Sequence, residues 1–171
     1  MLQAYSDSEL FSVLSNIDVS VPRRSGGRTK EHTERYAISY LLSTLAGKGR
    51  LSYPLCLIWR ERPDFLLTLG AMQIGIEHTE AVPQNEAHKT VLREKGNGAD
   101  VFFISHHQPG ETKKSVKDLV EEIEANQPGD GWVGDSVETE WADAMFHFIE
   151  RKVAKLRKDE FERFEQDWLL I

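Results

Sequence analysis

The feature that most constrains the fold is a two-residue connection, Gly70-Ala71, between two short runs of alternating side chains. Glycine adopts the positive φ that a type II′ turn requires at its first central position, so this connection predicts a β-hairpin. The turn sets the register of the two strands. Leu69 faces Met72, and the pairing continues outward until Asp64 faces Glu77. The hairpin is therefore expected to bring two carboxylates to the same end of neighbouring strands.

The alternation of side chains along the hairpin supports this register independently of the turn. One face is entirely apolar and is expected to be core: Phe65, Leu67, Leu69, Met72, Ile74 and Ile76. The opposite face is mixed and carries the acids: Asp64, Leu66, Thr68, Gln73, Gly75, Glu77 and Thr79. Because Gly75 has no side chain, we expect open space above it through which a ligand approaches the acids.

The two opposed acids are a candidate metal site. Directly opposed side chains have Cβ atoms roughly 4.5–5.5 Å apart, and like charges at that distance repel. A divalent cation bound by the oxygens of Asp64 and Glu77 would offset the repulsion. In the alternative interpretation, each acid extends into solvent or pairs with an arginine, for which Arg60 and Arg62 are the neighbours in sequence.

A third acid, Glu34, lies on the apolar stripe of a helix predicted over residues 29–46. It precedes Ile38 by four residues, so its carboxylate points toward the core, where it is costly unless paired. If this helix packs on the acid-bearing face of the hairpin, Glu34 approaches Asp64 and Glu77. The alternative is a first-turn acid that stabilises the helix N-terminus through the helix dipole.

The rest of the chain predicts a mixture of helices and strands. We expect helices over 7–16, 84–95, 115–125 and 136–158, and strands over 54–59, 99–105 and 168–171. Helical continuation through Phe161 and Phe164 is a further option. Several apolar positions in the last two helices are expected to face inward: Val116, Leu119, Val120, Ile123, Val137, Trp141, Ala144, Met145, Phe148, Ile149, Val153 and Leu156. A basic stretch is expected to be a solvated helix face: Arg151, Lys152, Lys155, Arg157 and Lys158.

Composition indicates one soluble globular domain over residues 1–171, because 40% of the residues are hydrophobic and 29% are charged. No apolar run reaches the roughly 18 residues that a membrane helix needs. The absence of a basic start and an apolar segment near Met1 argues against a secretory signal, and the single Cys56 predicts a cytoplasmic protein. The net charge of −7 argues against tightly held nucleic acid but is compatible with a local basic groove.

The order of these features resembles the PD-(D/E)XK phosphodiesterase superfamily. The resemblance rests on a helix with an inward Glu34, a strand that opens with Pro63-Asp64, the hairpin, and a strand that carries Glu77-His78-Thr79. It covers residues 29–82 well and 136–171 loosely, which leaves 84–131 as an insertion. It implies an α/β fold of the restriction-endonuclease-like type, a three-layer α/β/α arrangement around a central mixed sheet.

The resemblance also implies a metal-dependent nuclease that hydrolyses phosphodiester bonds, with DNA as the expected nucleic acid. Asp64, Glu77 and the backbone carbonyl of His78 would hold Mg²⁺ or Mn²⁺, and Glu34 would act beside them. We expect substrate contacts from Gln73, Arg28 and Lys89. The basic loop of residues 23–28 would hold phosphates, or else be a solvated loop. Members of the superfamily often form homodimers, which the sequence neither supports nor opposes.

One departure from the superfamily pattern is the motif lysine, which falls at Thr79. A threonine can position a water molecule but supplies no positive charge. A substitute cation would come from Lys89 or Arg93 after the third strand, or from Arg28 or Lys30 before the helix. Two interpretations therefore stay open, a metal-dependent nuclease and a catalytically lapsed module that binds nucleic acid or protein.

Overall fold

The computed structural model describes residues 1–103, 107–128, 134–157 and 162–171. They divide into two compact units. Unit 1 comprises Met1–Pro22, Thr29–Thr79 and Lys152–Ile171, and unit 2 comprises Arg23–Arg28 and Glu80–Arg151. The described residues form five helices and five strands, so the chain is a mixed α/β protein. Residues 84–131, the expected insertion, fall within unit 2.

Unit 1 is built on a five-stranded sheet. Its strands are β1 (Leu2–Ala4), β2 (Leu55–Trp59), β3 (Phe65–Leu69), β4 (Met72–His78) and β5 (Gln166–Leu170), and they lie side by side in chain order. The first four strands are antiparallel, whereas β5 runs parallel to β4, which makes the sheet mixed. Strand β1 was absent from the sequence prediction because three residues are too short to show alternation. This segment is a strand because it pairs with β2.

The predicted hairpin register is confirmed. Leu69 pairs with Met72 and Phe65 pairs with Ile76. Gly70 has a φ of 61°, the positive value expected at the first central position of the turn. Asp64 and Glu77 therefore occupy adjoining ends of β3 and β4.

The hydrophobic core of unit 1 lies between the apolar face of the sheet and two helices, α1 (Asp7–Leu14) and α2 (Lys30–Gly47). Ile38 and Leu42 of α2 belong to the same buried cluster as Phe65 and Ile76 of the hairpin. Helix α2 therefore packs on the apolar face of the hairpin. Glu34 was expected to approach the other acids if the helix packed on the acid-bearing face, and that packing is wrong. Its first turn nevertheless reaches the strand ends, as the site geometry shows.

Unit 2 contains α3 (Gln84–Glu94), α4 (Val116–Ala125) and most of α5 (Ser136–Leu156), whose last five residues belong to unit 1. Ser115 and Asp118 form a capping box at the start of α4. The strand predicted over 99–105 is absent from residues 99–103, and residues 104 and 105 lie outside the described residues. Val116, predicted to face inward, is exposed.

The predicted inward stripe of α5 is wrong for most of its large side chains. Phe148 is buried, whereas Trp141, Ile149 and Val153 are exposed. Helical periodicity shows that these residues share a side of the helix, but it does not supply an element that covers them. Helical continuation does not extend over residues 162–165, and Phe161 and Lys158 lie outside the described residues. Among the described helices, none combines the length and the apolar character that a membrane span requires.

Candidate functional site

Asp64 is held from two directions immediately before β3, where it is 2% exposed. Its Oδ2 accepts a hydrogen bond of 2.7 Å from the backbone N–H of His78, at the end of the neighbouring strand. Its Oδ1 accepts one of 2.5 Å from the ammonium of Lys30, the first residue of α2. The hairpin register and the start of a helix together fix this carboxylate.

Glu77 faces a lysine that the sequence prediction did not select. Lys152, near the end of α5, lies with its Nζ 2.8 Å from Glu77 Oε2 and 2.8 Å from the backbone carbonyl oxygen of His78. The side chain of Lys152 is 15% exposed, so its assignment to a solvated helix face is wrong. A usable signal was present, because Lys152 lies four residues from Phe148 and four from Leu156, which share one side of the helix.

Glu34 joins the same cluster through Lys30. Lys30 Nζ lies 2.8 Å from Glu34 Oε1. The contact is an ion pair and not a hydrogen bond, because its angles are unfavourable. Burial raises the pKa of the Glu34 carboxyl, Lys30 opposes the rise, and the charge of Asp64 adds to it. Burial alone would lower the pKa of Lys30, but its hydrogen bond to Asp64 and its ion pair with Glu34 outweigh that effect and raise the pKa well above its usual value. Lys30 is therefore a cation at neutral pH.

In the part of the chain that the structure describes, charge is not balanced within this cluster. Three carboxylates, those of Glu34, Asp64 and Glu77, face two ammonium groups, those of Lys30 and Lys152. The side chain of Lys30 is 63% exposed, whereas its two acid partners are nearly covered. A buried carboxylate without full compensation is costly, so additional positive charge at this place would be favourable.

His78 contributes mainly through its backbone, since its N–H binds Asp64 and its carbonyl binds Lys152. Burial lowers the pKa of its imidazole, and the neighbouring Lys152 and Lys30 lower it further against the opposing effect of Asp64. The ring is therefore neutral near pH 7. Thr79, in the position of the motif lysine, is half-buried and donates its backbone N–H to Leu170 of β5 at 2.9 Å.

The expected open space above Gly75 is occupied, and that expectation is wrong. A methyl group at Gly75 would lie 2.7 Å from the ring of Phe164 and 3.0 Å from Asp167 Oδ1. The missing side chain lets the segment before β5 pack against β4. Gln73 lies further along β4 on the same face and is exposed.

The three other proposed cations belong to unit 2, where each has an acidic partner. Lys89 is 1% exposed, and its Nζ lies 2.6 Å from Glu122. Arg28 pairs with Glu80. Arg93 pairs with Glu86, and its guanidinium lies over the ring of Phe102. Arg24 also pairs with Glu80, so the basic loop is tied to acids of its own unit. Of the proposed substitutes, only Lys30 contacts the acid cluster in the part of the chain that the structure describes.

The oxygen atoms of the cluster match the chemistry of a hard divalent cation. Glu77 Oε2 and the His78 carbonyl converge on one ammonium nitrogen, and Asp64 Oδ1 binds another, so the lysines mark where positive charge is favoured. Carboxylate and carbonyl oxygens are the ligands that Mg²⁺ and Ca²⁺ take. Across the described ranges, no group of three or more His, Cys, Asp or Glu side chains is arranged as a metal site. The structure brings Glu77 Oε2 and the His78 carbonyl to one nitrogen, whereas Asp64 Oδ1 binds a different one.

No protein-family model, curated protein or solved structure has a significant match to this chain.

Proposed function

We propose that the chain is a metal-dependent phosphodiesterase that hydrolyses nucleic acid, with DNA as the first substrate to test and a restriction-endonuclease-like arrangement of its sheet. One observation carries the proposal. Asp64, Glu77 and the His78 carbonyl lie at the adjoining ends of two strands, and each already contacts a cationic nitrogen. The surplus of one acid over the two lysines favours a further cation at the same oxygens.

Asp64, Glu77 and the His78 carbonyl would hold Mg²⁺ or Mn²⁺ in this proposal. When bound, such a cation supplies Lewis acidity, which neutralises charge on a phosphate and favours ionisation of an attacking water. The bond from the His78 N–H orients the Asp64 carboxylate, since it occupies Oδ2 and leaves Oδ1 directed at Lys30.

The two lysines would supply the positive charge that Thr79 cannot. Lys152 is the candidate for the role of the missing motif lysine, because it contacts the same oxygens that would bind the cation. Lys152 would place its ammonium beside the oxygens that would hold the metal, where it would offset negative charge on the phosphate. Lys30 is largely exposed above buried acids and would contact the phosphate from solvent, with Glu34 holding its ammonium in place. Thr79 would position water, and Gln73 would contact the substrate.

Cleavage assays test this proposal directly. The purified chain is incubated with double-stranded DNA, single-stranded DNA and RNA, with Mg²⁺, with Mn²⁺ or with a chelator. We expect Asp64→Asn and Glu77→Gln to abolish metal-dependent cleavage and Lys152→Met to reduce it about 10²- to 10³-fold, the usual loss for one charge-stabilising donor. Lys117→Met, at a lysine 83% exposed on α4, is the matched control and should cleave normally. Equal cleavage by Asp64→Asn would exclude the proposed site.

Metal binding is measured separately by thermal unfolding. A cation at 100 times its dissociation constant stabilises the folded state by about 2.7 kcal/mol. We expect wild type and Lys117→Met to show this stabilisation with Mn²⁺ or Mg²⁺, and Asp64→Asn to lose it. Stabilisation that survives both Asp64→Asn and Glu77→Gln would place the cation elsewhere.

A second candidate function is a lapsed member of the same fold that binds nucleic acid or protein without cleaving it. The observation that favours it is that Lys30 and Lys152 already pair with the three acids, so the fold does not depend on a metal. Such a module would bind nucleic acid with unchanged affinity in the presence of a chelator and show no stabilisation by Mg²⁺ or Mn²⁺.

A further inference from the structure

A surface cavity of about 380 Å³ lies between α1 and α2 in unit 1. Leu14 and Ser39 are buried and form its floor, whereas Phe11 and Tyr40 are exposed at its mouth. Ligand pockets in proteins usually have volumes of about 300–1,000 Å³ and are lined mostly by apolar and aromatic side chains with a few polar groups. The volume and the lining of this cavity therefore fit a small organic ligand.

Ser39 is the polar residue in the floor of this cavity, and it is only 5% exposed. Its Oγ has no hydrogen-bond partner in the part of the chain that the structure describes. A buried hydroxyl without a partner destabilises a folded protein, because it has lost its hydrogen bonds to water. Alanine would avoid that cost and is a better helix former than serine. A ligand in the cavity that supplies the missing partner accounts for a serine at this position.

The remaining lining indicates the shape and the charge of the ligand. The Tyr40 ring packs against Tyr36, with ring centroids 4.6 Å apart, and this contact holds it in place at the mouth. Phe11 belongs to the other helix that borders the cavity, so a planar ligand can contact an aromatic ring from each helix. A charged ligand would lose hydration without gaining a partner of opposite charge. The described residues that line the cavity are all uncharged: Phe11, Leu14, Ser15, Val19, Ser39, Tyr40 and Ser43.

We infer that this cavity binds a neutral aromatic compound with one hydrogen-bonding group, its rings against Phe11 and Tyr40 and its polar group at Ser39. A serine hydroxyl both donates and accepts hydrogen bonds, so a hydroxyl or a carbonyl on the ligand satisfies it. The inference is independent of the proposed function, because none of the residues that line the cavity belongs to the acid cluster.

Three probes with the same two fused rings test the contact with Ser39: 2-naphthol, naphthalene and the anion 2-naphthoate. Their fluorescence is followed during titration with the full chain. We expect wild type to bind 2-naphthol about tenfold more tightly than naphthalene, the usual effect of one hydrogen bond, and more tightly than 2-naphthoate. Ser39→Ala should bind 2-naphthol and naphthalene equally, and a variant that keeps the preference would overturn the assignment of Ser39.

Thermal unfolding of Ser39→Ala separates a ligand contact from a structural role. Because the hydroxyl lacks a partner in the described residues, the variant should unfold at a midpoint no lower than that of wild type. A lower midpoint would show that the hydroxyl supports the fold and would overturn its assignment to a ligand.

Removal of the aromatic rings tests the location of the site. Phe11→Ala and Tyr40→Ala should each weaken 2-naphthol binding at least about tenfold, since each removes apolar contact area. The matched control is Tyr5→Ala, at an exposed aromatic residue of unit 1 outside the cavity, which should bind like wild type. Circular dichroism establishes that each variant is folded. Binding that both cavity variants retain, equal binding of all three probes, or a wild type that binds no 2-naphthol would overturn the inference.

Discussion

Among the residues that the structure describes, the buried charges at the strand ends of unit 1 are carboxylates, whereas the buried charge in unit 2 is the ammonium of Lys89. In unit 1 three acids share two lysines, one of which, Lys30, is largely exposed. In unit 2 the proportions are reversed, because Glu122 is shared between Lys89 and Lys114. The first cluster has surplus negative charge, and the second neutralises its acid with the chain's own lysines.

The pKa values of Glu34 and Glu122 shift in opposite directions, as this difference in charge predicts. Burial raises the pKa of Glu34, and its single lysine does not cancel the rise. Burial also acts to raise the pKa of Glu122, but hydrogen bonds from Lys114 and Lys89 outweigh it, so that pKa is lowered. Buried charge alone therefore does not identify a ligand site. The informative feature is an excess of charge of one sign beside an oppositely charged partner that is partly exposed and can be displaced.

Removal of one lysine from each cluster should give the largest effect and the clearest contrast. Lys89→Met removes one of the two lysines that bind Glu122 and should cost about 3 kcal/mol of the free energy of unfolding, the upper end for a lost hydrogen bond to a charged group. Lys152→Met should also destabilise, but added Mg²⁺ should recover part of the loss because the cation takes over the freed oxygens. Denaturant unfolding with and without Mg²⁺ measures both. An equal gain in the free energy of unfolding from Mg²⁺ in the two variants would contradict the difference drawn between the two clusters.

A smaller effect is expected from filling the space at Gly75. Gly75→Ala places a methyl group against the ring of Phe164 and should cost about 2 kcal/mol through overpacking. Phe164→Leu should relieve part of that cost, so the double variant should be more stable than the sum of the two single changes indicates. Urea unfolding of the four proteins of this cycle gives the coupling. Additive changes would show that the face above Gly75 is open after all.

The smallest effect is a pair of opposite pH dependences. Because the pKa of Glu34 is raised, its ionisation opposes folding, and wild type loses stability relative to Glu34→Gln as pH rises from 4.5 through the folded pKa. Because the pKa of Glu122 is lowered, it stabilises the fold above pH 4.5, and that contribution is lost as pH falls through the folded pKa. Unfolding free energies of wild type, Glu34→Gln and Glu122→Gln between pH 3 and 7, a range of about two units either side of the ordinary carboxyl pKa, measure the slopes. Slopes of the same sign would contradict the charge comparison.

Much of unit 1 was predictable because its signals are local. A two-residue turn and strict alternation placed Asp64 opposite Glu77, and the inward position of Glu34 followed from helical spacing with Ile38. The environment of Lys89 was not predictable, since nothing near it in the sequence indicates Glu122. Lys152 and Glu77 are similarly 75 residues apart, a contact that depends on where α5 ends relative to β4.

From the sequence by itself, the register of the hairpin, its two faces and the positions of the acids were determined, because turn length and a period of two act between residues that are near one another in the chain. Tertiary structure alone decided which cations meet those acids, what fills the space at Gly75, and which side of α5 stays uncovered. Those outcomes depend on packing between distant segments, and periodicity specifies that two residues share a face without specifying what that face meets.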